Sequence, residues 1–210
     1  MVESKIQIFD LLFSKQMGPD GSIPNHPPTK EDFQKLSEHT RFTPKELEML
    51  YVKFKAVSNS EIADDLIDLD EFEHALGLKK SGFVERIFAA FDKDDSKQID
   101  FYEFATGLSA MSTRASLHEK AGFCFGVYDI DRNGYIDKQE LTEVLSFSLG
   151  QNSNVKLPPH QLNKIIDVTF KKMDSNGDGQ ISLEEFEAEA KKNPSILSCV
   201  NLSIENIFKS

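Results

Sequence analysis

One stretch limits the fold of this chain more than any other. Residues 129 to 140 read Asp-Ile-Asp-Arg-Asn-Gly-Tyr-Ile-Asp-Lys-Gln-Glu. Side-chain oxygens recur at alternate positions on Asp129, Asp131 and Asn133, a pattern that converges on one point only if the backbone curls around it. Gly134 stands where that curl needs a positive φ. The backbone carbonyl of Tyr135 adds another oxygen, Asp137 reaches the centre through a water, and Glu140 closes the set with both carboxylate oxygens. Ile136 is expected to pair with its counterpart in a neighbouring loop. Carboxylates gathered this closely repel one another unless a cation sits among them.

The pattern recurs along the chain. Residues 174–185 supply Asp174, Asn176, Asp178, Gly179, the carbonyl of Gln180, Ile181, Ser182 as a water-mediated ninth position, and Glu185. Residues 92–103 supply Asp92, Asp94, Ser96, the carbonyl of Gln98, Ile99, Asp100 and Glu103, with Lys97 where glycine is expected. A side chain in the left-handed region costs about 1–2 kcal/mol, which weakens that site without abolishing it. Residues 60–71 are degenerate. Aligning Ile67 and Glu71 with the eighth and twelfth positions puts Ser60 first, Ile62 third, Asp64 fifth and Asp65 in the glycine place. Either this loop is empty and structural, or it binds largely through carbonyls in an expanded loop beginning near Ser58, with Glu71 as its most secure ligand. These are EF-hand loops, and a terminal Glu in each favours seven-coordinate calcium over octahedral magnesium. Three calcium sites are expected, and a fourth if the first loop is filled.

The charge follows the loops. The chain of 210 residues carries a formal −11, which divides into −15 in the four loops and +4 elsewhere. An acidic chain is a poor partner for nucleic-acid phosphates. Apolar residues at 39%, with 17 Phe, exclude low-hydrophobicity disorder. No apolar run approaches the roughly 18–20 residues that span a bilayer. Cys124 and Cys199 are too few for a disulfide scaffold and suit a reducing compartment, with Cys124 expected in the core. The histidines at 26, 39, 74, 118 and 160 form no ligand cluster, and no phosphate loop or nucleophile motif appears. No enzyme is expected.

The terminal glutamates recur at 71, 103, 140 and 185, and each loop is flanked by apolar residues at helical spacing. Phe83, Ile87, Phe88 and Phe91 lead into the second loop, and Leu141, Val144 and Leu145 lead out of the third. Thr43-Pro44-Lys45-Glu46 is a capping box opening the helix before the first loop, and Pro158-Pro159 opens the one before the fourth. The expected fold is all-α, with four EF-hands in two pairs forming a compact, two-lobed body. Residues 1–39 form an N-terminal segment with an amphipathic stretch at 5–13 and a Pro/Gly-rich linker. The first pair spans 40–113, the second 114–192, and an apolar tail covers 193–210. The short linker around Ser109–Ser116 makes the lobes pack together. The N-terminal segment and the tail either pack on the body or cover a partner groove.

With these motifs in place, the chain resembles the calcineurin B-like proteins within the wider calcineurin B and neuronal calcium sensor group. The resemblance rests on Thr40 to Tyr51, on residues 117–141, on the long spacing to the fourth loop and on Asn193-Pro-Ser-Ile-Leu197. It implies a cytoplasmic calcium sensor in signal transduction that docks a helical regulatory segment of a Ser/Thr protein kinase. The alternatives are a regulatory subunit paired with a calcineurin-type phosphatase catalytic subunit, or a calcium buffer. Many relatives begin Met-Gly and are myristoylated; Met1-Val2-Glu3 does not match that motif, so it does not support membrane association. In the expected mechanism the terminal Glu swings in around calcium and carries its helix with it, exposing an apolar groove.

Overall fold

The structure, a computed structural model, describes residues 27–58, 64–76, 81–150 and 158–201. The amphipathic stretch at 5–13, Ser60, Ile62 and the end of the tail lie outside the described residues. Among those described, the helices are α1 (Lys30–His39), α2 (Pro44–Val57), α3 (Leu69–Leu76), α4 (Gly82–Phe91) and α5 (Phe101–Met111). They continue with α6 (Leu117–Tyr128), α7 (Lys138–Gly150), α8 (Pro159–Met173) and α9 (Leu183–Lys192), then a 3-10 segment at Pro194–Asn201. Consecutive helices from α2 onward flank the four loops, giving four helix–loop–helix units.

Helix starts are set by reciprocal side-chain caps. Thr43 and Glu46 open α2 as expected, and Ser116 and Glu119 open α6 in the same way. A third box, Thr29 with Asp32, opens α1, a helix inside the stretch expected to be linker. Helix α1 lays Phe33 and Leu36 on α2, and the Phe33 ring meets Tyr51 and Phe101 edge-on at 6.1 and 6.0 Å.

Loops pair at their eighth residues. Ile67 and Ile99 exchange backbone hydrogen bonds of 2.9 and 2.8 Å, and Ile136 and Ile181 exchange two of 2.9 Å. Their side chains are buried, so each bridge is a shared floor beneath two loops. The pairing expected for Ile136 is therefore with Ile181.

The two pairs share one core that runs from Phe33 to Leu197. Helices α4 and α5 pack on α6, and α4 also packs on α7. The Phe91 ring meets Phe123 edge-on at 5.3 Å across the boundary, and edge-to-face pairs of this kind contribute about 0.5–1.5 kcal/mol beyond their burial. Two forked ion pairs cross the surface above it. Arg41, ahead of α2, grips the capping Glu119 of α6 through Nε and Nη2, and Arg114, in the linker, grips the capping Glu46 of α2 through Nη1 and Nη2. Arg114 also lies over the Phe42 ring at 5.7 Å. The start of the tail packs too: Leu197 is buried, and the 3-10 segment lies on α6 and α9. Cys124 is fully buried, as expected, but it is disulfide-bonded, which departs from the reading of a reducing environment.

Candidate metal centre

Each loop is held between two caps. At the entrance, the helix ends on the first loop residue, whose N–H still bonds back four residues: Asp92 to Phe88, Asp129 to Phe125 and Asp174 to Phe170, at 2.9, 2.9 and 2.8 Å. At the exit, the ninth and twelfth residues form a capping box. Asp100 accepts from the Glu103 N–H at 2.8 Å while Glu103 accepts from the Asp100 N–H at 3.1 Å. Asp137 with Glu140, Ser182 with Glu185, and Asp68 with Glu71 repeat it. The residue types expected from coordination are thus also those that start the exit helix.

Inside the loops the side-chain oxygens collect backbone N–H donors. Asp129 accepts from Asn133 and Gly134 at 3.1 and 3.0 Å, and Asp131 accepts from Asn133 at 3.1 Å. Asp92 accepts from Ser96 and Lys97 at 3.0 Å each, and Asp94 from Ser96 at 3.0 Å. In the fourth loop Asp174 accepts from Asp178 and Gly179, and Asn176 from Asp178 at 2.8 Å. The terminal glutamates are already turned in. Glu140 accepts from Ile130 at 2.8 Å, Glu103 from Lys93 at 2.7 Å, and Glu185 from Ser175 N–H and Oγ at 2.9 Å each.

Among the described residues the result is two carboxylate triads, Asp92–Asp94–Glu103 and Asp129–Asp131–Glu140, each with oxygens within 4.8 Å of one another. The fourth loop is not among these triads: its amide, Asn176, stands third and its carboxylate, Asp178, fifth, the reverse of Asp131 and Asn133 in the third loop. Burial, then the nearby Asp100, pushes Glu103 up to about 8, and burial pushes Asp100 up to about 6. Burial also raises Asp92 and Asp129. The backbone N–H of Ser182, by contrast, leads the interactions that hold Glu185 down to about 2. Crowding and burial that disfavour the charged form at Glu103, Asp100, Asp92 and Asp129 suit a divalent cation, and all the donors are the hard oxygens calcium takes. In the second loop Ser96 Oγ donates to the Gln98 carbonyl at 2.9 Å, so that oxygen is shared.

Backbone strain grades the loops. Left-handed residues fall at the fourth and sixth positions: Asp95 and Lys97 in the second loop, Arg132 and Gly134 in the third, Gly177 and Gly179 in the fourth. Lys97, at φ 67°, confirms that the glycine place is left-handed even when no glycine fills it. The first loop has Asp65 there at φ 65°, paired with Lys55. Its entrance cap is Ser58, bonded back to Phe54 at 2.9 Å, so from Ser58 to Glu71 the loop spans 14 residues rather than twelve. That start and length are those of the expanded loop, whose residues 59–63 lie outside the described residues. Asp64 is exposed and accepts from Leu66 and from Gln98 of the second loop. Ser58 Oγ is buried with no hydrogen-bond partner among the described residues.

Known proteins agree with this construction. A family model described as an EF-hand domain pair matches residues 118–191. The calcineurin B protein of Yarrowia lipolytica is 37% identical over 160 residues, covering 76% of this chain and 89% of that protein. Its Candida glabrata counterpart is 40% identical over 153 residues, covering 73% and 84%. The type 2 calcineurin B of Bos taurus is 34% identical over 149 residues, covering 71% and 84%. All three are named as calcineurin subunits.

Proposed function

The chain belongs to the calcineurin B family, and from that premise we propose that it is the calcium-sensing regulatory subunit of a calcineurin-type phosphatase. It is a calcium-binding, non-catalytic EF-hand protein. The observation that carries the reading is the pair of carboxylate triads, set in a chain whose relatives are named as subunits. The resemblance puts a kinase target first and a phosphatase second; the relatives support the second.

In this reading Asp92, Asp94, Ser96, Asp100 and Glu103 hold one ion, and Asp129, Asp131, Asn133, Asp137 and Glu140 another. Asp174, Asn176, Asp178, Ser182 and Glu185 hold a third, with the carbonyls of Gln98, Tyr135 and Gln180 completing the sets. Calcium, when bound, supplies a hard divalent charge that offsets the carboxylate repulsion. The chain's own residues do the rest. Because each terminal Glu is the third residue of its exit helix's capping box, any change in its carboxylate position is passed to that helix. Ile165 and Val168 on α8 and Met49 and Val52 on α2 are exposed apolar side chains three residues apart, suited to the apolar face of a partner helix. Among the described residues no helix is long and apolar enough to cross a membrane.

The test is co-purification of the full chain with a calcineurin-type catalytic subunit, with calcium and with chelator. Retention that rises with calcium supports the sensor. Equal retention in chelator assigns a constitutive structural subunit, and capture of a kinase instead restores the first expectation. No partner, together with calcium binding that leaves apolar-dye fluorescence unchanged, means a buffer.

A further inference from the structure

Arg132 is the fourth residue of the third loop, yet its side chain serves the second. Its Nη2 donates to the carbonyls of Ala89 at 3.0 Å and Asp92 at 2.8 Å, and its Nη1 to that of Lys93 at 3.4 Å. Nη2 also lies 3.6 Å from Asp95 Oδ1. These groups are the last turn of α4 and the first residues of the second loop. The last carbonyls of a helix lack intrahelical partners and carry its negative dipole end. Helix α4 has no basic residue in its own last turn, so the cation there comes from the other EF-hand pair. A planar fork with several donors suits carbonyls that point in different directions, where a lysine would reach one.

The other end of Arg132 is equally fixed. Its neighbours Asp131 and Asn133 bond to each other, and Asn133 bonds to Asp129. Bridges at Ile67–Ile99 and Ile136–Ile181 join loops only within a pair. Arg132 joins the middle two and so makes one contiguous chain of four loops. We propose that Arg132 is a positioning residue that couples the second and third calcium sites across the lobe boundary, so that filling one raises the affinity of the other. By linkage the effect is reciprocal. The inference rests on calcium being the ion in both loops.

The test is a cycle in the full chain using Glu103→Gln, which disables the second loop, and Arg132→Gln. Third-loop occupancy is read by Tb3+ luminescence excited through Tyr135, with Tyr135→Phe as the blank. With Arg132 present, Glu103→Gln is expected to weaken third-loop affinity about fivefold or more. In the Arg132→Gln background the change is expected to stay below about twofold, since the pairwise term has been removed. Arg132→Lys keeps the charge and loses the fork, and is expected to behave as Gln; wild-type coupling there would overturn the hydrogen-bond mechanism. A metal-free readout is amide exchange in chelator, where Arg132→Gln should speed exchange at Asp92 as the last turn of α4 frays. Unchanged exchange, or equal coupling with and without Arg132, overturns the proposal alone. Absence of both calcium and Tb3+ uptake overturns the calcium reading and the proposal with it.

Discussion

Lys97→Gly tests whether backbone strain ranks the loops. Lys97 sits at φ 67°, in the place that Gly134 and Gly179 occupy at φ 86° and 87° in the third and fourth loops. A single side-chain-bearing residue in the left-handed region costs about 1–2 kcal/mol. Glycine would remove that cost but add about 0.4–1 kcal/mol of freedom to the unfolded chain. The net is a gain of about 0.5–1 kcal/mol. The ion pair of Lys97 with Asp95 is lost as well, but both side chains are exposed and the pair is screened. Thermal unfolding of the full chain in chelator should therefore rise by about 1–4 °C for a protein of this size. Gly134→Ala is the converse. A Cβ there would meet no atom within 4 Å, so the backbone cost is offset only by the reduced freedom of the unfolded chain, and a loss of about 0.5–1 kcal/mol is expected. If Lys97→Gly destabilises, or Gly134→Ala is neutral, strain is not what distinguishes the second loop from its neighbours.

Gly107→Ala should destabilise by about 1–3 kcal/mol in denaturant titration, because its Cβ would lie 2.3 Å from two ring carbons of the buried Phe91. Gly122→Ala, inside α6 with no atom within 4 Å of the added methyl, should stabilise by about 0.5–1 kcal/mol in the same assay. The Arg114 fork, then the Thr43 N–H, holds Glu46 down to about 2 from its ordinary 4.5. A carboxylate whose folded value is depressed adds stability above its unfolded value, and that contribution fades as pH falls towards 2. Glu46→Gln should thus flatten the decline in stability between about pH 5 and 2, and an unchanged slope in circular dichroism would show that the pair does not contribute.

Much of the fold was legible because the loop pattern and helical periodicity agree at every unit. The eighth-position isoleucines, the sixth-position turn and the capping box at Thr43 all stand where spacing put them. What escaped was non-local or two-sided. Helix α1 is announced by Thr29-x-x-Asp32, the same signal as at Thr43, but it follows a proline-rich stretch that reads as linker. Arg132 was legible only as a base inside the acidic loop at 129–140. Its reach to α4 depends on how the lobes pack, which no local pattern encodes. The fourth loop matches the motif as well as the third, yet with amide and carboxylate exchanged between its third and fifth positions it forms no such triad.

The twelfth-position glutamate shows why residue type alone could not decide the first loop. Glu71 caps α3 with Asp68 through bonds of 3.2 and 2.8 Å, as Glu103 caps α5 with Asp100. Loss of a capping side chain costs a helix about 0.5–2 kcal/mol, so Glu71 has a reason to stand there whether or not an ion does. A terminal glutamate therefore reports a helix start first and a metal ligand second. What separates the loops lies in their entrance halves. The second and third begin with an aspartate that cups two backbone N–H groups and then place a second carboxylate beside it. The first begins at Ser58, and its Asp64 is turned out towards Gln98. Coordination is built from the entrance inward, and the exit half is secondary structure that coordination shares.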